Sequence, residues 1–296
     1  MRRLSTIAVA WSLIGSSGLA AGSTFTGVEF GRVEGVRLLL DARVPDGPGP
    51  FPAAIWVHGG GFTTGDRRAF PPALADAIQR AGFAWISVDY RLAPRYPFPA
   101  ATDDVESAIA YLKAHAQEFR LNRDRFVLLG ESAGGLLVSY VGARHRPGNG
   151  VAAVVSFYGE HDLVRRTHPA GGCFNDGKFV PNPQPGQPQF CLSRGLAAFL
   201  GISGPGPESE RVIRQASAIN HLGKEMPPYL LIHGTVDLHV PFEQSVVMFE
   251  AIHRAGGRCE LYAVDGGGHG MTAWDRNPAQ AGYRDYLVRW LVKVVS

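Results

Sequence analysis

The sequence predicts an α/β fold: a mostly parallel eight-stranded sheet with helices on both faces and a cap-like insertion. Three observations carry that expectation. From about residue 27 to the end, strand-like runs alternate with segments of helical period, with turn residues between them. The runs at 53–57, 126–129 and 229–232 are apolar throughout, as strands covered on both faces must be. One long interruption, 159–225, follows the sixth strand run, where a cap over a site is readily inserted.

Taken in order, residues 1–20 hold Arg2 and Arg3, no acidic residue, and an apolar run from Leu4 to Ile14 that loosens into Gly15–Ala20. This is the pattern of a secretory signal peptide. Gly18 and Ala20 suit the −3 and −1 positions of a cleavage site, so the mature chain is expected to begin near Ala21, with Ala20 and Gly22 as a second option. The run is shorter than the roughly 20 apolar residues of a membrane span, so no stable membrane insertion is expected after cleavage. Export implies a secreted or periplasmic location.

The catalytic domain is expected over 21–296. Its strand candidates are 28–33, 36–44, 53–57, 84–88, 126–129, 152–157, 229–232 and 260–264, and its helix candidates 71–81, 101–118, 133–144, 243–255 and 279–294. The second helix opens after Pro99, with Asp103 and Asp104 in its first turns and Val105, Ile109, Ala110 and Leu112 at helical spacing. The last carries Tyr283, Tyr286, Leu287, Trp290 and Leu291 on one stripe, the mark of a core-facing helix. Between 159 and 225, seven prolines from Pro169 to Pro207 and many glycines predict irregular chain, with short helices at 193–200 and 209–218.

Removing Arg2 and Arg3 with the leader lowers the formal net charge from +3 to +1, which argues against nucleic acid or an anionic surface as partner. The three cysteines form an odd set. In an exported chain they predict one disulfide and one thiol, with Cys173 and Cys191 as the pair and Cys259 as a buried strand residue. No Cys-x-x-Cys or His-x-x-x-His spacing occurs, so no metal site is expected.

Four separated pieces carry the chemistry. Ser132, within Gly130-Glu131-Ser132-Ala133-Gly134, stands between a strand and a helical run, where a sharp turn exposes its hydroxyl and side chains two residues to either side would collide. His58-Gly59-Gly60-Gly61-Phe62 follows the third strand. Its glycines let main-chain amides approach a substrate oxygen, so the oxyanion donors are expected from Gly60, Gly61 and Ala133, with His58 bracing the loop. His269, in a glycine-rich loop after the last strand, is the candidate base. Asp237, 32 residues earlier and just past a strand end, is the candidate acid. Asp265 reads as a turn residue, and His239 as a substrate contact only. The order Ser132, Asp237, His269 is that of a serine nucleophile elbow with its acid and base.

With these residues the sequence resembles the hormone-sensitive-lipase-like and feruloyl-esterase-like carboxylesterases of the α/β-hydrolase superfamily. The similarity takes in Asp89-Tyr90-Arg91-Leu92-Ala93-Pro94, Pro97-Phe98-Pro99-Ala100-Ala101, Gly65-Asp66 and the stretch from Asp237 to Pro241. Few residues lie between the leader and the first strand, so the resemblance favours the open, feruloyl-esterase-like type over the type with a helical N-terminal cap. It implies hydrolysis of small-molecule or polysaccharide-linked carboxylic esters through an acyl-enzyme, with no cofactor. Amide hydrolysis by the same triad, and a catalytically silent fold used for binding, are the alternatives.

Overall fold

The computed structural model describes residues 22–145, 150–168, 172–175, 178–181 and 190–295, the two segments between 172 and 181 by backbone alone. The predicted leader over 1–20 and its cleavage site therefore lie outside the described residues, as does the side chain of Cys173.

In chain order the elements are β1 (Ser23–Val33), β2 (Val36–Val44), β3 (Phe51–Val57), α1 (Pro72–Arg80), β4 (Ala84–Val88), α2 (Ala100–Ala114), β5 (Leu121–Glu131), α3 (Ala133–Arg144), β6 (Val151–Phe157) and α4 (Leu163–Thr167). There follow β7 (Gly172–Asn175), β8 (Lys178–Pro181), α5 (Arg194–Leu200), α6 (Pro207–Ala216), a 3-10 turn at Ala218–His221, β9 (Tyr229–Gly234), α7 (Glu243–Arg254), β10 (Cys259–Val264), α8 (Met271–Arg276) and α9 (Tyr283–Val295). The main sheet has eight strands in the order β1-β2-β4-β3-β5-β6-β9-β10. Only β2 runs against its neighbours, pairing antiparallel with β1 and β4; the remaining pairs are parallel.

Side chains alternate across this sheet with period two, and both faces are apolar. Ala53, Ile55, Val57, Phe126 and Leu128 face the layer of α2, α3 and α7. Ala54, Trp56, Val127 and Leu129 face that of α1, α8 and α9. On the second face the Trp56 and Trp85 rings stack with centroids 5.5 Å apart, and Tyr283, Leu287, Trp290 and Leu291 of α9 close over them as the stripe predicts.

The strand order positions the site. From β3 the chain moves to β4 on one side, and from β5 it moves to β6 on the other, so a crevice opens between the carboxyl ends of adjacent β3 and β5. The glycine loop after β3 and the serine turn after β5 face each other across it.

Several elements differ from the sequence expectation. Strand β5 begins five residues earlier, at Leu121, and α2 ends at Ala114, where the His115 imidazole bonds the Tyr111 carbonyl (2.9 Å). The expected final helix begins later, at Tyr283, and a separate short helix not expected from the sequence, α8, precedes it across the Asn277-Pro278 turn. Asp104 does not serve the helix dipole: it is buried and takes a bidentate ion pair from Arg91 (2.8 Å). Removing one partner of such a buried pair costs about 3–5 kcal/mol. The excursion over 159–225 is largely structured: it holds α4, the β7–β8 hairpin, α5, α6 and the 3-10 turn. α5 and α6 fall where short helices are expected, whereas α4 and the hairpin do not; the Arg165 amide donates to Asp162 Oδ1 to cap α4, and the Leu196 amide donates to Ser193 Oγ to cap α5.

Candidate active site

The turn after β5 forces Ser132 into φ 51°, ψ −117°, a region side-chain-bearing residues rarely occupy. The strain persists because the turn is closed on all sides. The Ser132 amide donates to the Phe157 carbonyl (2.9 Å). A Cβ on Gly130 would overlap the Gly134 carbonyl, and one on Gly134 would overlap that of Val57. Both glycines are thus required by close approach, as the motif predicts, and α3 starts at Ala133 with its positive dipole end toward the hydroxyl.

Ser132 Oγ donates to His269 Nε2 (3.0 Å), and His269 Nδ1–H donates to Asp237 Oδ2 (2.6 Å). The second oxygen of Asp237 accepts from the amides of His239 (2.8 Å) and Val240 (3.0 Å). The Asp237 side chain is wholly buried. Burial alone would raise its pKa, yet the bonds from His233 and His269, the charge of His269 and the Val240 amide outweigh it and hold the carboxyl well below the usual carboxylate range. Asp237 is therefore an anion that fixes the proton on His269 Nδ1, which leaves Nε2 free to accept from Ser132.

The acid and base loops are joined by main-chain bonds: Thr235 N–H to Val264 O and Val236 N–H to Gly267 O, both 3.0 Å. Trp274 Nε1–H donates to Gly268 O (2.9 Å), anchoring the base loop from α8. Asp265 is exposed, and its carbonyl accepts from Gln280; it is a turn residue, as expected. The His239 ring lies 5.1 Å from that of His269 and lines the cavity, a position suited to substrate contact.

On the other wall, Gly60 adopts φ 109°, and its carbonyl accepts from Thr63 N, Thr64 N and Thr64 Oγ1. Gly60, Gly61 and Ala133 line the same cavity as Ser132 and His269. His58 braces this loop: it is buried, bonds the Gly59 carbonyl through Nδ1 (2.7 Å) and stacks on Tyr90 at 4.2 Å. Burial pushes its pKa down, so the imidazole stays neutral.

The cavity has a volume of about 400 Å³. The excursion supplies part of its wall, through Ser193, Gly195 and Leu196 of α5 and through Glu160 and Arg166, a buried ion pair (2.8 Å). Arg166 also donates to the His239 carbonyl (3.2 Å).

Sequence reasoning brought Ser132, Asp237, His269, Gly60, Gly61 and Ala133 to one site; in the structure Ser132, His269, Gly60, Gly61 and Ala133 line one cavity, and Asp237 stands behind His269, bonded to its Nδ1. It missed His233, whose Nε2 lies 3.4 Å from Asp237 and 3.0 Å from the Val240 carbonyl while Nδ1 meets Ser245 Oγ (2.7 Å). It also missed Tyr158, Glu131, Glu160 and Arg166. Tyr158 meets Glu131 across 27 residues, which leaves no local pattern, whereas His233 precedes Asp237 by four residues and Glu160 precedes Arg166 by six, spacings that mark no role by themselves.

The sheet, the strained serine turn and the Ser-His-Asp relay define an α/β-hydrolase. The chain belongs to the BD-FAE family, whose profile matches residues 40–252. That is the feruloyl-esterase-like group that the sequence resembles. Among curated relatives it is 30% identical to the esterase LipC of Mycobacterium tuberculosis over 76% of this chain and 54% of that protein. It is 27% identical to the probable carboxylic ester hydrolase LipM of the same organism, over 73% of this chain and 48% of that protein. The chain thus spans about half the length of these relatives. Among solved structures, a truncated carbohydrate esterase from gut microbiota superposes with TM-score 0.71 at 21% identity, covering 94% of this chain and 98% of that one. An acetyl ester-xyloside bifunctional hydrolase from Caldicellulosiruptor lactoaceticus does so with TM-score 0.73 at 20% identity, with the same coverage. The native Est2 esterase of Thermogutta terrifontis gives TM-score 0.69 at 22% identity, covering 94% of each chain. These structural likenesses establish the fold.

Proposed function

We propose that the protein is a serine carboxylesterase. The observation that carries this reading is the unbroken relay from Ser132 through His269 to the ionised Asp237 at the edge of a cavity. Ser132 Oγ attacks the ester carbonyl as His269 Nε2 takes its proton. The tetrahedral oxyanion is held by the amides of Gly60, Gly61 and Ala133, and His269 then protonates the leaving alkoxide. Water, deprotonated by His269, releases the acid from the acyl-enzyme. Residues 1–20 direct export, and the mature chain acts outside the cytoplasm.

The substrates we infer are short acyl or aryl esters of hydroxyl-bearing alcohols, carbohydrates included. A cavity of about 400 Å³ suits a short acyl group. The Glu160–Arg166 pair is a polar stretch of the wall without net charge, which suits hydroxyl groups better than a carboxylate. Structural neighbours that are a carbohydrate esterase and an acetyl ester-xyloside hydrolase support the same substrate class. The test is turnover of p-nitrophenyl acetate, butyrate and palmitate, hydroxycinnamoyl esters, acetylated xylosides and matched anilides, with fluorophosphonate labelling and Ser132→Ala as control. Labelling with turnover of short esters supports the reading; preference for the anilides would make the protein an amidase, and absence of both labelling and turnover would make it a binding protein.

We also propose a bridge between Cys173 and Cys191. Its support is the state of the described thiols: Cys259 is free and buried, whereas Cys191 is bonded through sulfur and does not titrate. In the chain-entropy model a closed loop of this size contributes about 3 kcal/mol. Mass spectrometry of a non-reduced digest should recover the two peptides linked.

A further inference from the structure

Tyr158, the residue that follows β6, has φ 40°, a left-handed conformation that a bulky aromatic residue adopts only under constraint. Its amide donates to the Ile232 carbonyl (2.9 Å) and its side chain is almost fully buried. The conformation turns the ring toward the site. Its centroid lies 4.7 Å from that of the His269 imidazole, edge to face, and 5.2 Å from that of Trp274.

The phenol oxygen joins two elements of the relay. It donates to Glu131 Oε2 (2.5 Å), the side chain next to Ser132 in sequence, and accepts from the Met271 amide (3.4 Å), two residues beyond His269. Burial and the neighbouring Glu131 carboxylate push the phenol pKa well up, so it remains a donor at every working pH.

We propose that Tyr158 is a positioning residue that sets the distance and angle between Ser132 and His269, with Glu131 as its anchor on the nucleophile side. The proposal rests on the hydrolase reading above. The serine turn and the histidine loop are 137 residues apart in the chain, and β5 and β10 are not adjacent in the sheet. Besides the Ser132–His269 bond, which is remade in each catalytic cycle, Tyr158 supplies a link between them that no reaction step breaks. The histidine loop is also held from the Asp237 side, through Val236 and Thr235, and from α8, through the Trp274 bond to Gly268 O, but neither of these holds reaches the serine turn.

The test uses Tyr158→Phe, which keeps the ring and removes both bonds of the hydroxyl, with Glu131→Gln, Glu131→Ala and the Tyr158→Phe/Glu131→Ala double variant. All rates are taken per titrated active site, so a poorly folded fraction does not enter. Misplacement of catalytic groups by about 1 Å loses on the order of 100-fold in rate. For Tyr158→Phe we expect kcat and the fluorophosphonate inactivation rate to fall together, by about tenfold or more, with KM within about twofold of wild type. Glu131→Gln, which retains an acceptor, should stay within about threefold, and the double variant should be no slower than the slower single variant. Rates for Tyr158→Phe within about twofold of wild type, or a double variant in which the losses multiply, would overturn the proposal while leaving the esterase reading intact. A wild-type protein that neither reacts with fluorophosphonate nor turns over esters would overturn both.

Discussion

Gly195, in the first turn of α5, stands so close to Gly61 that a Cβ on it would come within 2.6 Å of the Gly61 carbonyl oxygen. The excursion is thereby seated directly on the glycine loop. Phe199, one helical turn further, stacks on Phe62 at 4.1 Å, and the Phe98 amide donates to the Phe199 carbonyl (2.6 Å). The loop proposed to bind the oxyanion is thus clamped between β3 below and α5 above.

Gly195→Ala should therefore disturb catalysis more than folding. The added methyl must displace either α5 or the Gly61 carbonyl, and the loss of one well-placed oxyanion donor lowers kcat by about 100-fold or more. We expect a fall of about tenfold or more in kcat on a short p-nitrophenyl ester, with the thermal midpoint within a few degrees of wild type. An unchanged kcat would show that α5 does not hold the loop.

Ser132→Ala and His269→Ala should each lower ester turnover by several orders of magnitude and leave the far-ultraviolet circular dichroism unchanged, because members of a triad act as a unit. Asp237→Asn should lose a comparable amount, since it reverses the preferred tautomer of His269. Asp265→Asn should be near neutral. Full activity in Asp237→Asn together with its loss in Asp265→Asn would displace Asp237 from the relay.

Activity should decline on the acid side. Asp237 is held below the usual carboxylate range, so it stays ionised as pH falls toward 5. Protonation of His269 removes the acceptor for the Ser132 proton, so kcat/KM should fall on the acid side with a limiting slope of about tenfold per pH unit. A rate flat from about pH 5 to 8 would rule out a histidine base.

Stability should also fall with acid, through a different histidine. His161 is fully buried, and neither ring nitrogen has a hydrogen-bond partner among the described residues. Burial, reinforced by His233, pushes its pKa from 6.5 down to about 3. Between those values the unfolded chain binds a proton that the folded protein excludes. Its stabilising contribution is therefore complete above about pH 6.5 and is lost as pH falls toward 3, at up to about 1.4 kcal/mol per pH unit. His58, lowered by burial in the same sense, adds to the slope. Urea midpoints between pH 4 and 7 should decline less steeply in His161→Leu than in wild type; parallel curves would assign the acid sensitivity elsewhere.

How much of this was legible beforehand follows from what each residue needs. Ser132, Gly130, Gly134 and Gly60 answer to the geometry of their own turns: a left-handed or crowded backbone selects glycine, and that selection is visible one residue at a time. The strand ends that carry Asp237 and His269 were visible for a similar reason, since apolar runs bounded by turns mark where a buried strand reaches the surface. Within 159–225 the short helices expected at 193–200 and 209–218 are α5 and α6, whereas α4 and the β7–β8 hairpin were not foreseen, because short elements among prolines and glycines leave little periodic signal.

The sequence by itself determined the alternating sheet architecture, the serine turn, the glycine loop and the chain order of acid and base, because these depend on local backbone geometry and on the period of apolar residues. Only the tertiary structure decided which side chains support them. Tyr158 between Glu131 and Met271 and Gly195 against Gly61 are brought together by strand order and loop docking, while His233 with Asp237 and Glu160 with Arg166, four and six residues apart, take their geometry from the turn of the chain between them. The separation of Tyr158 from Met271 by 113 residues leaves no periodic trace, because a bond across loops constrains distance in space and not spacing along the chain.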